Sequence, residues 1–259
     1  MRMMKKVLGT VTVLALSVSL LAGCGSTAAS PVSSAASTAA ESTTSSVVSE
    51  TTSAAADENE AAAAQLLNDL TGSYQELWPV ILADEYKQTW LDDCTALVGE
   101  DNAEAAFEKL SSMVTGDVYG EDAVKAYANG GGAYFCGFTN SLATLTFDGE
   151  TSTISGTDKD GNVLFSHTYH YIGMEPVRGL YEFESDDADS GEFTYFFLAP
   201  DTSAETYHIE FRYGSDADAL SQYDAGDYAY WLASGISTDC DQTMIDNCIE
   251  LFCTENLAG

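Results

Sequence analysis

Apolar positions between 61 and about 128 recur at helical spacing, as in Leu91, Cys94 and Leu97 with Val98, then Ala106, Phe107 and Leu110 with Met113 and Val114. Stripes of this kind predict helices with one buried face. Within that stretch, Tyr74 to Leu82 holds an aromatic cluster interrupted by Pro79, whose missing N–H forbids an uninterrupted helix through the point. From Tyr134 to Tyr213 the pattern changes to strands and turns. Leu142–Phe147, Thr151–Thr157 and Val163–Tyr171 are separated by Asp148-Gly149 and Asp160-Gly161-Asn162, and these Asp-Gly signals mark hairpins of a meander. Further strands are expected over Leu180–Glu184, Phe193–Leu198 and Thr206–Tyr213. Helical spacing returns at Ala217–Tyr223 and at Thr243–Phe252, the latter with Met244, Ile245, Cys248, Ile249 and Phe252 on one stripe. Consecutive short antiparallel strands close into a barrel or a sandwich. The expected class is α+β, built around an antiparallel β-barrel with helices on its N- and C-terminal sides.

Charge narrows the range of partners. The 259 residues carry 9 Lys+Arg against 41 Asp+Glu, a formal net charge of −32. Nucleic-acid affinity comes largely from cationic side chains displacing condensed counterions, so DNA and RNA are excluded as direct partners. A hydrophobic fraction of 45%, with 14 Tyr and 11 Phe, is too rich for an acidic disordered chain and supplies a folded core.

The N-terminus points to export. Arg2, Lys5 and Lys6 precede an apolar run from Val7 to Leu21, and Leu21-Ala22-Gly23-Cys24 follows at once, the order of a secretory signal peptide. The run is shorter than the ~20 residues of a spanning helix. Its Leu-Ala-Gly-Cys end resembles a bacterial lipoprotein box, which implies a signal peptide over 1–23 and a diacylglyceryl thioether on Cys24. From Gly25 to Ala56, 25 of 32 residues are Ser, Thr or Ala. A segment of that composition cannot offset its ordering entropy and acts as a tether, with a reach of roughly 30 Å. The expected organisation is a lipid-anchored linker over 24–60 and a single folded domain over 61–259, on the extracytoplasmic face of a bacterial cell membrane.

With Cys24 assigned to lipid, Cys94, Cys136, Cys240, Cys248 and Cys253 remain, an odd number for an exported protein. No pair has the CxxC spacing of a zinc-thiolate cluster. The readings left are one or two disulfides, or buried apolar thiols.

Several segments carry a resemblance over most of the folded region. Gly72-Ser73-Tyr74-Gln75-Glu76-Leu77-Trp78-Pro79 resembles the opening strand and Tyr/Trp-Pro element of the ZinT family of exported zinc-binding proteins, and Tyr169-His170-Tyr171-Ile172-Gly173 resembles its Tyr-x-Tyr-Val-Gly strand. Glu182-Phe183-Glu184 falls where the family has a strand ending in Phe-Glu, and the run from Glu205 to Gly214 resembles its His-Phe-His-Ile strand. The resemblance implies a calycin-like, lipocalin-shaped barrel that captures zinc or a similar divalent ion for a metal-uptake system.

The metal ligands depart from that pattern. Of three family histidines, the counterpart of the first falls in Phe196–Pro200 without a histidine, and His-x-His has become Thr206-Tyr207-His208. A tight zinc site needs three or four donors. His167 and His170 are the remaining imidazoles; three apart on one strand, they point to opposite faces, so at most one joins His208. Glu210 shares the face of His208. The candidate metal set is therefore His208, His167 and Glu210, with a surface-displayed module for a small ligand or a protein as the alternative use of the barrel.

Other acidic segments are structural in expectation. Asp158–Asn162 resembles part of a calcium loop but lacks the ligands at both ends and is a hairpin turn. The five acids between Glu184 and Glu192 form a solvated loop. No Gly-x-Ser-x-Gly, Walker loop or His-Glu-x-x-His is present, and the chain is not expected to be an enzyme. Tyr223, Tyr228, Tyr230 and Trp231 line either a ligand pocket or a half-buried part of the core.

Overall fold

A computed structural model of the chain describes residues 58–199 and 208–258. Helix α1 is already under way at 58, three residues before the expected domain boundary, and continues to 69. The expectations for the signal peptide, Cys24 and the tether up to 57, and for Thr206-Tyr207, fall outside the described residues.

Eight strands follow in chain order: β1 (Gly72–Glu76), β2 (Thr144–Asp148), β3 (Thr153–Thr157), β4 (Val163–Met174), β5 (Tyr181–Ser185), β6 (Tyr195–Leu198), β7 (His208–Gly214) and β8 (Ala233–Ser237). Each pairs antiparallel with its sequence neighbour, and β1 pairs with β8 to complete a closed barrel. The expected meander of hairpins is thus present. The two strands that close it were hidden from hydrophobic period: β1 lies in the stretch assigned to helices, and β8 is the weakly patterned Ala233-Ser234-Gly235-Ile236-Ser237.

Helices α2 (Leu77–Ile81), α3 (Lys87–Val98), α4 (Glu100–Met113), α5 (Glu121–Ala128), α6 (Ala217–Leu220) and α7 (Gln242–Leu257) make up the rest. Pro79 is tolerated in α2 because it stands in the first turn, where its missing N–H has no intrahelical role. The expected helix over Ala217–Tyr223 is confined to one turn, capped by the Asp216 side chain accepting from Ala219 N. The Asp241 side chain accepts from Met244 N at 3.0 Å and starts α7.

Two buried clusters divide the apolar residues. The first fills the barrel with Phe147, Phe183, Phe196, Phe211, Tyr213 and Trp231, and α1 contributes Ala63, Leu66 and Leu67 to it. The second lies outside the barrel wall, where α2, α3, α4 and α7 pack Trp78, Trp90, Leu110 and Ile249 against Ile236 of β8. Cys94, Cys136, Cys240, Cys248 and Cys253 are free thiols, and all but Cys240 are buried. Among the described residues no helix is long and apolar enough to cross a membrane.

Candidate functional site

Strand β7 sets the orientation of the first two candidate ligands. Ile209, Phe211 and Tyr213 enter the barrel cluster, so by alternation His208, Glu210 and Arg212 face outward. His208 stands opposite Ile236 and Glu210 opposite Ser234 on β8. The backbone N–H of Ser234 donates to the Cys136 carbonyl at 3.0 Å, which brings the 135–137 segment over this wall. Burial, assisted by the charge of Glu210, pushes the Cys136 thiol up to about 12. It is therefore a neutral thiol at ordinary pH in the metal-free protein.

His167 occupies a different place. On β4, Phe165 and Tyr169 belong to the barrel cluster, and His167 shares their inward parity, with its side chain 15% exposed and its ring 6.0 Å from that of Phe165. Its Nδ1 is 2.8 Å from Asp187 Oδ2. His170 faces outward, and its Nδ1 is 2.7 Å from Asp186 Oδ1. Consecutive acids thus reach histidines on the two sides of one strand, and Asp186 N donates to Thr168 O at 2.9 Å to hold the loop there. A carboxylate on Nδ1 fixes the ring and leaves Nε2 with the available lone pair.

The 184–192 run is accordingly more than a solvated charge loop. Besides the two histidine contacts, Glu192 accepts from Ser215 and Tyr228 hydroxyls at 3.2 Å each, and the buried Ser190 hydroxyl bonds to Ser185 Oγ at 2.7 Å. The Asp158–Asn162 turn is as expected: Asp158 Oδ1 accepts from Asp160 N and Asn162 N at 2.9 Å.

His208 and Glu210 share one face, and His167 lies on the opposite side of the barrel wall. Alternation along β4 was legible in the sequence, but which of its faces turned inward was not. Among the described residues no group of three or more His, Cys, Asp or Glu is gathered so as to hold a metal ion.

Among the described residues, aromatic rings crowd the barrel interior. Phe165 stacks on Phe193 at 4.0 Å, Phe196 lies 5.4 Å from Tyr213, and Tyr213 meets Trp231 edge-on at 5.0 Å. A pocket of about 330 Å³ is lined by Glu76, Trp78, Leu82, Thr115, Phe135 and Cys136 among others. The Glu76 carboxylate there accepts from Phe138 N at 2.6 Å, and the buried Trp78 indole N–H is directed at the Cys136 sulfur.

The residues of the tyrosine cluster pack in different places. Trp231 is fully buried in the barrel core, whereas Tyr230 stacks on Tyr127 at 3.7 Å outside it. Tyr223 carries two guanidinium groups, Arg178 at 4.3 Å and Arg212 at 4.4 Å from its ring centroid. Its hydroxyl donates to Glu175, a carboxylate that also accepts from the Val177 and Arg178 backbone N–H groups at 2.7 and 2.6 Å. Sequence inspection missed this cluster, since its members are spread over β7 and two connections.

No family model and no curated protein matches the chain. Among solved structures it is similar to the Zn(II)-bound ZinT-like domain of Streptococcus pneumoniae AdcA, at 15% identity and a TM-score of 0.45, covering 71% of this chain and 89% of that one. It is also similar to Zn(II)-bound AdcA from the same organism, at 14% identity and a TM-score of 0.42, covering 72% of this chain and 35% of that one.

Proposed function

We propose that the chain is a membrane-anchored extracytoplasmic binding lipoprotein that captures zinc or a similar divalent ion and passes it to an uptake system. The observation that carries the reading is the placement of His208 and Glu210 on the outer face of β7, two positions apart and both paired with β8. An imidazole and a carboxylate side by side make an N,O pair suited to zinc. Two protein donors leave the remaining positions to water or a partner, which favours exchange over storage. The anchor would be Cys24, and no catalytic step forms part of this reading.

The test is isothermal titration of Zn²⁺, with Ca²⁺ as control, into the Cys24→Ala chain and into the same chain carrying His208→Ala. Saturation near one equivalent that disappears with His208→Ala supports metal capture. Weak heat shared by Ca²⁺ and both proteins would mean a diffuse acidic surface and would overturn it. The Cys24→Ala chain should leave the membrane fraction for the medium, and unchanged retention would exclude the anchor.

A second reading rests on the pocket beside Trp78, where the Glu76 carboxylate borders a wall formed by Trp78, Leu82 and Phe135. A surface-displayed module would use that pocket for a small ligand and would show no His208-dependent metal uptake.

A further inference from the structure

We infer that Cys94 and Cys253 are the two halves of a disulfide that fastens the C-terminal helix α7 to α3. Their Sγ atoms lie 3.9 Å apart across 159 positions of chain, and both side chains are fully buried. A disulfide bond is about 2.05 Å long, so the sulfurs need to close by roughly 2 Å.

The interface between these helices has a reason to be fastened. Apolar contacts hold it, with Trp90 of α3 6.0 Å from Phe252 of α7 and Cys94 and Cys253 in the same cluster as Ile245 and Ile249. Like charges oppose it. Asp93 of α3 has a buried carboxylate oxygen without a partner. Burial first, then Glu250 and Asp246 of α7, raise its carboxyl above the usual range. A cross-link spanning most of the folded chain also removes more freedom from the unfolded ensemble than a short one does. It accounts for two of the five thiols left after Cys24 and leaves Cys136 buried against the barrel wall.

The oxidant is a disulfide, small-molecule or protein-borne, written RSSR. The Cys94 thiol gives up its proton, and the thiolate attacks one sulfur of RSSR and releases the first RSH. The Cys253 thiolate then attacks the Cys94 sulfur of the mixed disulfide and releases the second RSH. Two protein thiols lose two electrons in all, and one external disulfide becomes two thiols. Burial raises both thiols in the folded state, so the exchange runs while α7 is still undocked. The closed bond is then out of reach of reductants. None of this depends on metal binding.

The experiment refolds the full chain in a glutathione and glutathione-disulfide buffer, alkylates residual thiols under denaturing conditions, and maps peptides by mass spectrometry without reduction. Expected is a linked pair containing Cys94 and Cys253, about 2 Da lighter than the two reduced peptides together. Thermal unfolding should be raised on the order of 5–10 °C over the reduced protein. Cys94→Ala and Cys253→Ala should each abolish that redox-dependent shift. Alkylation of both cysteines after oxidation, or linkage of either to a third cysteine, overturns the inference. The map of the unaltered chain decides this even where a variant fails to fold.

Discussion

The guanidinium of Arg212 lies 4.4 Å from the centroid of the Tyr223 ring, inside a wall where its own side chain is fully buried. Among the described residues it forms no ion pair. Its N–H groups donate instead to the carbonyls of Leu220 and Tyr228, with longer contacts to Gln222 at 3.4 and 3.5 Å, and Nε is left without a partner. The aromatic face and a ring of carbonyl dipoles thereby do the work of a counter-ion. Through these bonds a β7 residue pins the 220–228 connection that leads into β8.

Arg212→Met should consequently destabilise the fold by about 2–4 kcal/mol, since several carbonyls lose a charged donor in a buried place. Arg212→Lys should recover little, because an ammonium cannot fork between Leu220 and Tyr228. Urea unfolding followed by tryptophan fluorescence measures both. A loss under about 0.5 kcal/mol for the methionine variant, the scale of an ordinary surface change, would mean the guanidinium does not organise the connection.

Gly149 joins β2 to β3 directly against α1. A Cβ there would come within 2.4 Å of Asn68 Cα and 2.6 Å of Asn68 N, backbone atoms that cannot swing aside. Gly149→Ala is expected to cost about 1–3 kcal/mol by overpacking and to loosen α1 ahead of the barrel. Amide hydrogen exchange would show this as faster exchange in 58–69 than in β5–β7, and unchanged protection of α1 would count against it.

Acidification should stabilise the protein before it harms it. Asp93 is raised by burial and by Glu250 and Asp246, and Glu182 by burial and by Glu175 and Asp218. An acid whose folded pKa is raised binds more protons in the native state than in the unfolded one. Its stabilising contribution is therefore complete below the unfolded value near pH 4 and is lost as pH rises through the folded value. Relief of self-repulsion in a chain of net charge −32 acts in the same sense. Melting temperature should climb from about pH 7.5 to about pH 5, and added salt at neutral pH should produce part of the same rise. A melting temperature that only falls over this range would refute the account.

At the alkaline end the sign is the same and the groups differ. Tyr127 and Tyr223 are raised to about 12, in both cases chiefly by burial, whereas an unfolded tyrosine ionises near pH 10. The unfolded chain therefore releases protons first, and stability is lost from about pH 10 upward. Ultraviolet phenolate absorbance should show a set of tyrosines that ionise late and together with unfolding. Simple titration of all 14 tyrosines near pH 10 would contradict the structure.

How far the residues themselves foretold the outcome varies by element. Alternation and Asp-Gly turns located β2 through β7 within a few residues, because a strand with one face on a core writes that fact into its own period. The α7 stripe was legible for the same reason. By contrast β8 reads Ala-Ser-Gly-Ile-Ser, with little β-forming character, and it is a strand because β1 and β7 on either side supply hydrogen-bond partners. The arginine–tyrosine cluster was equally invisible, since Arg178, Arg212 and Tyr223 meet only after the barrel has closed.

Taken alone, the sequence determined the charge class, the barrel meander and the residue types available for a site. These are local or summed properties. Tertiary structure alone decided closure through β8, the packing of the lumen with rings, and the side to which each histidine turns. A strand's period states that neighbouring side chains face opposite ways, but which way is inward depends on long-range pairing. Here that pairing sends His167 in with Phe165 and Tyr169, and His208 out beside Glu210.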